Sequence, residues 1–247
     1  MKFLVLQQLA IEPPALIDEI IRSEGHALQI INLELDPQAI KSGRNMDVPS
    51  QSKSEWDGLI TMGGPQSAND VHSTAISTCL GLIADAIKHD VPMLGICLGA
   101  QLMAKAAGGI IQASPVRELG WHPVFPTASA PDDALFRALP DEGLKVFQWH
   151  GESFTLPQSG ALLASHPDVP HQAFRLGKGQ YGLQFHIEVD KEVIERWIEA
   201  GESERDYLGA NGLSRLRLQS DVYLLPMQSF CREMIQVWLR EAASMKS

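Results

Sequence analysis

The chain has 247 residues, 45% of them hydrophobic, enough to bury a full core, and the expectation is one catalytic domain over 1–247 with a helical C-terminal extension from about residue 190. Its 20 Lys plus Arg against 30 Asp plus Glu leave a formal net charge of -10, which repels phosphate backbones and anionic lipid and argues against nucleic acid as a partner. Three widely spaced cysteines, Cys79, Cys97 and Cys231, fit a reducing compartment. No stretch approaches the roughly 18 apolar residues of a membrane span, so no membrane partner is expected. The N-terminal run reads as a first strand, not a signal peptide, and the protein is expected to be cytoplasmic.

Phe3 to Leu6 is a short β-rich run, and Pro13-Pro14 opens a helical pattern from Ala15 to Ser23 that stops at Gly25. His26 to Leu35 is strand-like, and the polar stretch from Asp36 to Ser54 reads as a long loop. Asp57 to Met62 is an apolar strand broken at Gly63-Gly64-Pro65, and Thr74 to His89 carries apolar residues at helical spacing. Val91 to Ile96 followed by Leu98 to Ala107, ending at Gly108-Gly109, makes a further βα unit. Repeated β then α implies an α/β fold with a central, mostly parallel sheet flanked by helices on both faces, flavodoxin-like in arrangement. Gly109 to Thr127 and Gly143 to His150 look strand-like without a long helix between them, so added antiparallel strands are expected. Gln172 to Glu188 reads as a hairpin turning at Leu176 to Gln180, with Tyr181 to Glu188 as its second strand. Helices are expected over Lys191 to Ala200 and Asp221 to Ala243.

Gly95-Ile-Cys97-Leu-Gly99 lies where an apolar strand meets a helix. A sharp strand-to-helix turn strains its central residue, and small residues two positions either side let the neighbouring backbones close in while the side chain stands out. The same turn puts the thiol at a helix N-terminus, where unpaired N–H groups favour thiolate. Alone, Cys97 fits an ordinary buried cysteine equally well, since free Cys is among the most buried residue types.

Gln184-Phe-His186-Ile-Glu188 supplies the second motif. Side chains two apart on a strand share a face, so His186 and Glu188 are expected to project together, the carboxylate orienting the imidazole as a general base for a thiol. No CxxC, HExxH, P-loop or dinucleotide fingerprint is present, so neither metal nor cofactor is expected.

With these residues assembled, the sequence resembles the class I, triad-type glutamine amidotransferases, whose pattern is a G-x-C-x-G elbow followed far downstream by H-x-E. By motif the likeness runs from about Asp57 to Val189, and it is to the stand-alone members, resembling the amidotransferase domain of GMP synthase. The resemblance implies that Cys97 attacks the side-chain amide of glutamine, releasing ammonia and leaving a γ-glutamyl thioester for water, with His186 as base and acid and Glu188 as its orienter. It implies Gln101 as a substrate-binding residue, and the N–H groups of Gly64 and Leu98 as the oxyanion hole. Gln148-Trp-His150-Gly151 matches a loop near the substrate, with Glu152 where the family often has Asp. His150 and Gly151 are therefore expected, with Gln101, to bind substrate, His150 and Glu152 are read as pocket or structural residues and not as acid or base, and His186 is preferred to His150 as the base.

No ATP-binding or synthetase module is visible in the chain, which leaves two enzyme readings: a glutaminase that passes ammonia to a partner synthetase, or a hydrolase acting on small γ-glutamyl compounds. A binding module with a silent site is a third, and the intact Cys97, His186 and Glu188 argue against it.

Overall fold

The computed structural model describes residues 1–33 and 56–245, so the loop expected over 36–54 lies outside the described residues. Its first half is built from βα units: β1 (Lys2–Gln7), α1 (Ala15–Ser23), β2 (Ala27–Asn32), β3 (Gly58–Thr61), α2 (Thr74–Lys88), β4 (Met93–Ile96) and α3 (Leu98–Ala106). Apart from Lys2, β1 is wholly buried, as a parallel strand covered on both faces must be. Its alternation divides the core: Phe3 and Val5 pack with Leu16, Ile17 and Ile20 of α1, whereas Leu4 and Leu6 pack with Cys79, Leu82 and Ile83 of α2. Ser73 caps α2, its hydroxyl accepting from the Ile76 N–H at 3.2 Å.

The second half adds β5 (Ile111–Pro126), β6 (Leu144–Phe154), β7 (Ala161–Ser165), β8 (Ala173–Leu176), β9 (Gln180–Leu183), α4 (Lys191–Ala200) and α5 (Glu202–Ser244). The sheet order is β2-β1-β3-β4-β9-β8-β7-β5-β6. The five strands from β2 to β9 pair parallel, and from β9 onward every pairing is antiparallel. The sheet is thus mixed, a parallel half followed by an antiparallel half.

Three expectations need correction. The second strand of the hairpin ends at Leu183, not Glu188, because the chain leaves β8 there and His186 keeps only an isolated bridge to Phe147. The last helix begins at Glu202, not Asp221; it breaks at Gly209 (φ 61, ψ 175), and the stretch through Ser220 is helical although its polar residues hide the period. The strand β7 was not anticipated, since Ala161–Ser165 is short and without alternation. The face of the sheet that carries α1 is closed by α5, whose Ile235, Trp238 and Leu239 join the same core as Phe3. No described helix is long and apolar enough to cross a membrane.

Candidate active site

The end of β4 sets the geometry. Ile96 pairs with Leu183 of β9, and the Cys97 N–H donates to the Leu183 carbonyl at 2.7 Å, so the parallel pairing carries the segment after Leu183 alongside the cysteine. Cys97 has φ 49 and ψ -106, a left-handed conformation that L side chains rarely adopt, and α3 starts at the next residue. The flanking glycines are sterically required. A Cβ on Gly95 would lie 2.7 Å from the Gly99 carbonyl carbon, and one on Gly99 would run into the Thr61 carbonyl oxygen. With its own N–H committed to the sheet, Cys97 leaves that of Leu98, in the first helical turn, without an intrahelical acceptor. Gly64 faces this turn from the end of β3: a Cβ there would be 2.9 Å from Leu98 Cδ2.

His186 and Glu188 meet, though not as strand neighbours. The His186 N–H donates to the Phe147 carbonyl at 2.8 Å, its Nδ1 lies 2.7 Å from Glu188 Oε1, and Glu188 Oε2 accepts from the Ile187 N–H at 2.9 Å. A carboxylate only accepts, so the imidazole proton sits on Nδ1 and Nε2 is left for the thiol. Both side chains are buried, and Trp197 packs edge-on against the imidazole at 4.7 Å between ring centroids. Burial by itself would lower the His186 pKa. The Glu188 charge, the neighbouring Cys97 and the bond to Glu188 outweigh it and hold the group well above its ordinary value. An imidazole so supported is suited to act as a general base toward an adjacent group.

Gln101, one turn along α3, is buried, not on an exposed face: its Nε2 donates to the Glu152 carbonyl at 3.1 Å and to Gln184 Oε1 at 3.3 Å. Gln184 in turn donates to Cys97 Sγ at 3.7 Å. Gln184 went unassigned in the sequence, although its place two residues before His186 was a usable signal. His150 also has an acidic residue two positions on, so spacing does not separate it from His186; the structure does. Its Nε2 donates to Glu118 Oε2 at 3.0 Å and its Nδ1 lies 3.1 Å from the backbone oxygen of Glu152, so both ring nitrogens are engaged by groups other than the cysteine.

Glu118, missed in the sequence because nothing marks one Glu in a strand, is fully buried and also accepts from Gln172 Nε2 at 2.8 Å. Burial raises its pKa, but the hydrogen bond and charge of His150 and the bond from Gln172 win, and it lies below the ordinary value. The Glu152 side chain accepts from the Ser67 hydroxyl at 2.9 Å.

One cavity of about 460 Å³, a size suited to a small molecule, is lined by Cys97, His186, Gln101, His150, Gly151 and Glu152 among others. Gly64 lines it too, as do Trp149 and Trp197 on the apolar side. Arg117 and Glu204 form an ion pair at its wall. Among the described residues no cluster of His, Cys, Asp and Glu has metal-binding geometry.

Residues 16–198 match the family Glutamine amidotransferase class-I. The GMP synthase [glutamine-hydrolyzing] of Porphyromonas gingivalis is 36% identical over 134 residues, covering 53% of this chain and 25% of that protein. The chain therefore spans about a quarter of the length of that synthase. The glutamine amidotransferase-like protein YfeJ of Salmonella typhimurium is 30% identical over 158 residues, 61% of this chain and 64% of that protein. Among solved structures, a glutamine amidotransferase from Thermotoga maritima superimposes with a TM-score of 0.82 at 26% identity, covering 98% of each chain.

Proposed function

The chain belongs to the class-I glutamine amidotransferase family, and from that premise we propose that it hydrolyses the side-chain amide of glutamine through a cysteine γ-glutamyl thioester and yields ammonia for transfer to an acceptor. The observation that carries the reading is the buried imidazole of His186, held by Glu188 at 2.7 Å and lining the same cavity as Cys97.

In the proposed course the Cys97 thiolate adds to the amide carbon, and the N–H groups of Gly64 and Leu98 receive the oxygen as it gains charge. Glycine at 64 lets the backbone come near, and donors already in place cost no reorganisation. The carbon–nitrogen bond then breaks as His186 gives its proton to nitrogen, and ammonia leaves. Water attacks the thioester, its proton passes to His186, and the carbon–sulfur bond breaks to give glutamate and the free thiol. Glu188 keeps the imidazole in one tautomer and takes no proton. Gln101, His150 and Gly151 lie at the wall that holds the amino-acid end of the substrate, with the Glu152 carbonyl fixed by both Gln101 and His150.

The acceptor is a separate synthetase in this reading, as the likeness to one portion of GMP synthases suggests. The test compares release of glutamate from glutamine and from a γ-glutamyl dipeptide, with the purified protein alone and with cell extract added. Slow glutamine turnover that extract accelerates is expected. Fast cleavage of the dipeptide, independent of extract and with little turnover of glutamine, overturns the reading in favour of a γ-glutamyl hydrolase.

A further inference from the structure

The connection between β1 and α1 puts an acidic side chain into the cavity that neither the motifs nor the course above employs. Glu12 lines the cavity. Its Oε2 is 2.6 Å from the point where a Cβ on Gly63 would stand, and the same point has His186 Cε1 at 3.0 Å and Cys97 Cβ at 3.6 Å. The carboxyl thus reaches the space that the missing side chain of Gly63 leaves, beside both the thiol and the imidazole.

The connection is held firmly. The Glu12 N–H donates to the Leu9 carbonyl at 3.0 Å, and Trp197 Nε1 donates to the Ile11 carbonyl at 2.8 Å. The Leu16 N–H donates to the Glu188 carbonyl at 3.0 Å, tying the start of α1 to the residue that orients His186.

Glu12 is half-buried and its carboxyl faces the cavity, whereas the fully buried Glu118 has one oxygen met by His150 and Gln172. A carboxyl that faces the cavity can accept a hydrogen bond from a molecule bound there. Burial pushes the group up to about 7, with the His186 charge lowering it and the Glu188 charge raising it, so the carboxyl gains its charge as pH passes through neutrality.

Resting on the amidotransferase reading, we propose that Glu12 is a specificity-determining residue that accepts a hydrogen bond from the amide nitrogen of bound glutamine, so that the site selects a primary amide. The attacked carbon must sit at the sulfur, and the departing nitrogen must face the imidazole that protonates it. The space off Gly63 is in contact with both groups, which makes the departing nitrogen the substrate atom nearest Glu12. A primary amide can donate one N–H there. A substituent on that nitrogen is driven against the carboxyl, and an ester oxygen offers no donor.

The experiment measures kcat/KM for glutamine and for glutamate γ-methyl ester, which forms the same thioester without an N–H, in the parent, Glu12→Gln and Glu12→Met. The amide-to-ester ratio is expected to fall roughly 10- to 100-fold in Glu12→Met. A smaller fall is expected in Glu12→Gln, which keeps an acceptor and the shape of the side chain. In the parent the ratio rises as pH passes about 7, and in both variants it is flat. Equal losses on the two substrates, or no loss on either, overturn the proposal, because a merely structural Glu12 does not change the ratio. A parent protein that cleaves the ester but not glutamine, with cell extract present as well as without it, overturns the amidotransferase reading as well, and the parent data alone distinguish that failure from a failure of Glu12.

Discussion

Replacing Gly95 with Ala tests whether the turn around Cys97 depends on close backbone approach. A methyl there would stand 2.7 Å from the carbonyl carbon and 2.8 Å from the carbonyl oxygen of Gly99, and 2.5 Å from Met103 Sδ. The thioether can swing aside, but the Gly99 peptide is part of α3 and cannot move alone. Restoring an ordinary contact of about 3.4 Å displaces the first turn of α3 from β4 by roughly 0.6 Å, with Cys97 at the junction.

Overpacking of this kind costs about 1–3 kcal/mol. A misplacement of that size, scaled against roughly 10²-fold per ångström, lowers turnover about 10-fold or more. Glutamate release, alkylation of Cys97 by a haloacetamide and denaturant unfolding are measured together on Gly95→Ala and on Gly81→Ala. Gly81 lies within α2 with nothing within 4 Å of an added Cβ, so its replacement is expected to stabilise by about 0.5–1 kcal/mol and leave the chemistry alone. A Gly95→Ala protein with parental stability, alkylation rate and turnover refutes the steric argument for the elbow.

Four further outcomes are expected. In the native protein at neutral pH a glutamine-like diazo-ketone labels Cys97 alone, because burial pushes the Cys79 thiol up to about 11 and Cys231 well above its ordinary value; mass spectrometry of the labelled peptides checks this, and label on either of those two contradicts it. Glu188→Gln lowers kcat by roughly 10²- to 10⁴-fold, short of the near-total loss in His186→Ala, and shifts the pH–rate profile to lower pH, since the charge that raises His186 is removed. The raised His186 pKa also stabilises the fold fully below about pH 6.5 and does so less as pH climbs through the folded value, so the parent's stability advantage over Glu188→Gln in urea melts should shrink on the alkaline side. Arg217→Ala, which removes an exposed bidentate pair with Glu195 at 2.8 Å, changes stability by less than about 1 kcal/mol in the same melts.

The sequence by itself determined the repeated βα units, because period-2 and helical patterns and the Gly and Pro stops are local signals. It determined the elbow for the same reason: Gly95, Cys97 and Gly99 are read within five residues, and the strained φ of 49 at Cys97 follows from the turn. Residues 186 and 188 were legible as a pair, yet for an inexact reason. Their side chains meet across 2.7 Å beyond the end of β9, where His186 keeps one bridge to Phe147, and not on a continuous strand.

Only the tertiary structure decided which distant segments meet. Parallel pairing of β4 with β9 brings Gln184 and His186 to Cys97, a choice made by burial of both faces of the sheet and carried by no residue near the cysteine. His150 and His186 each precede a glutamate by two positions, and Glu118 engages one ring while Glu188 holds the other. Glu12 lies in a loop without periodicity, and its position beside Cys97 exists because Gly63, on another strand end, has no side chain to exclude it. Such placements depend on contacts between residues far apart in the chain, and a pattern read along one segment contains no term for them.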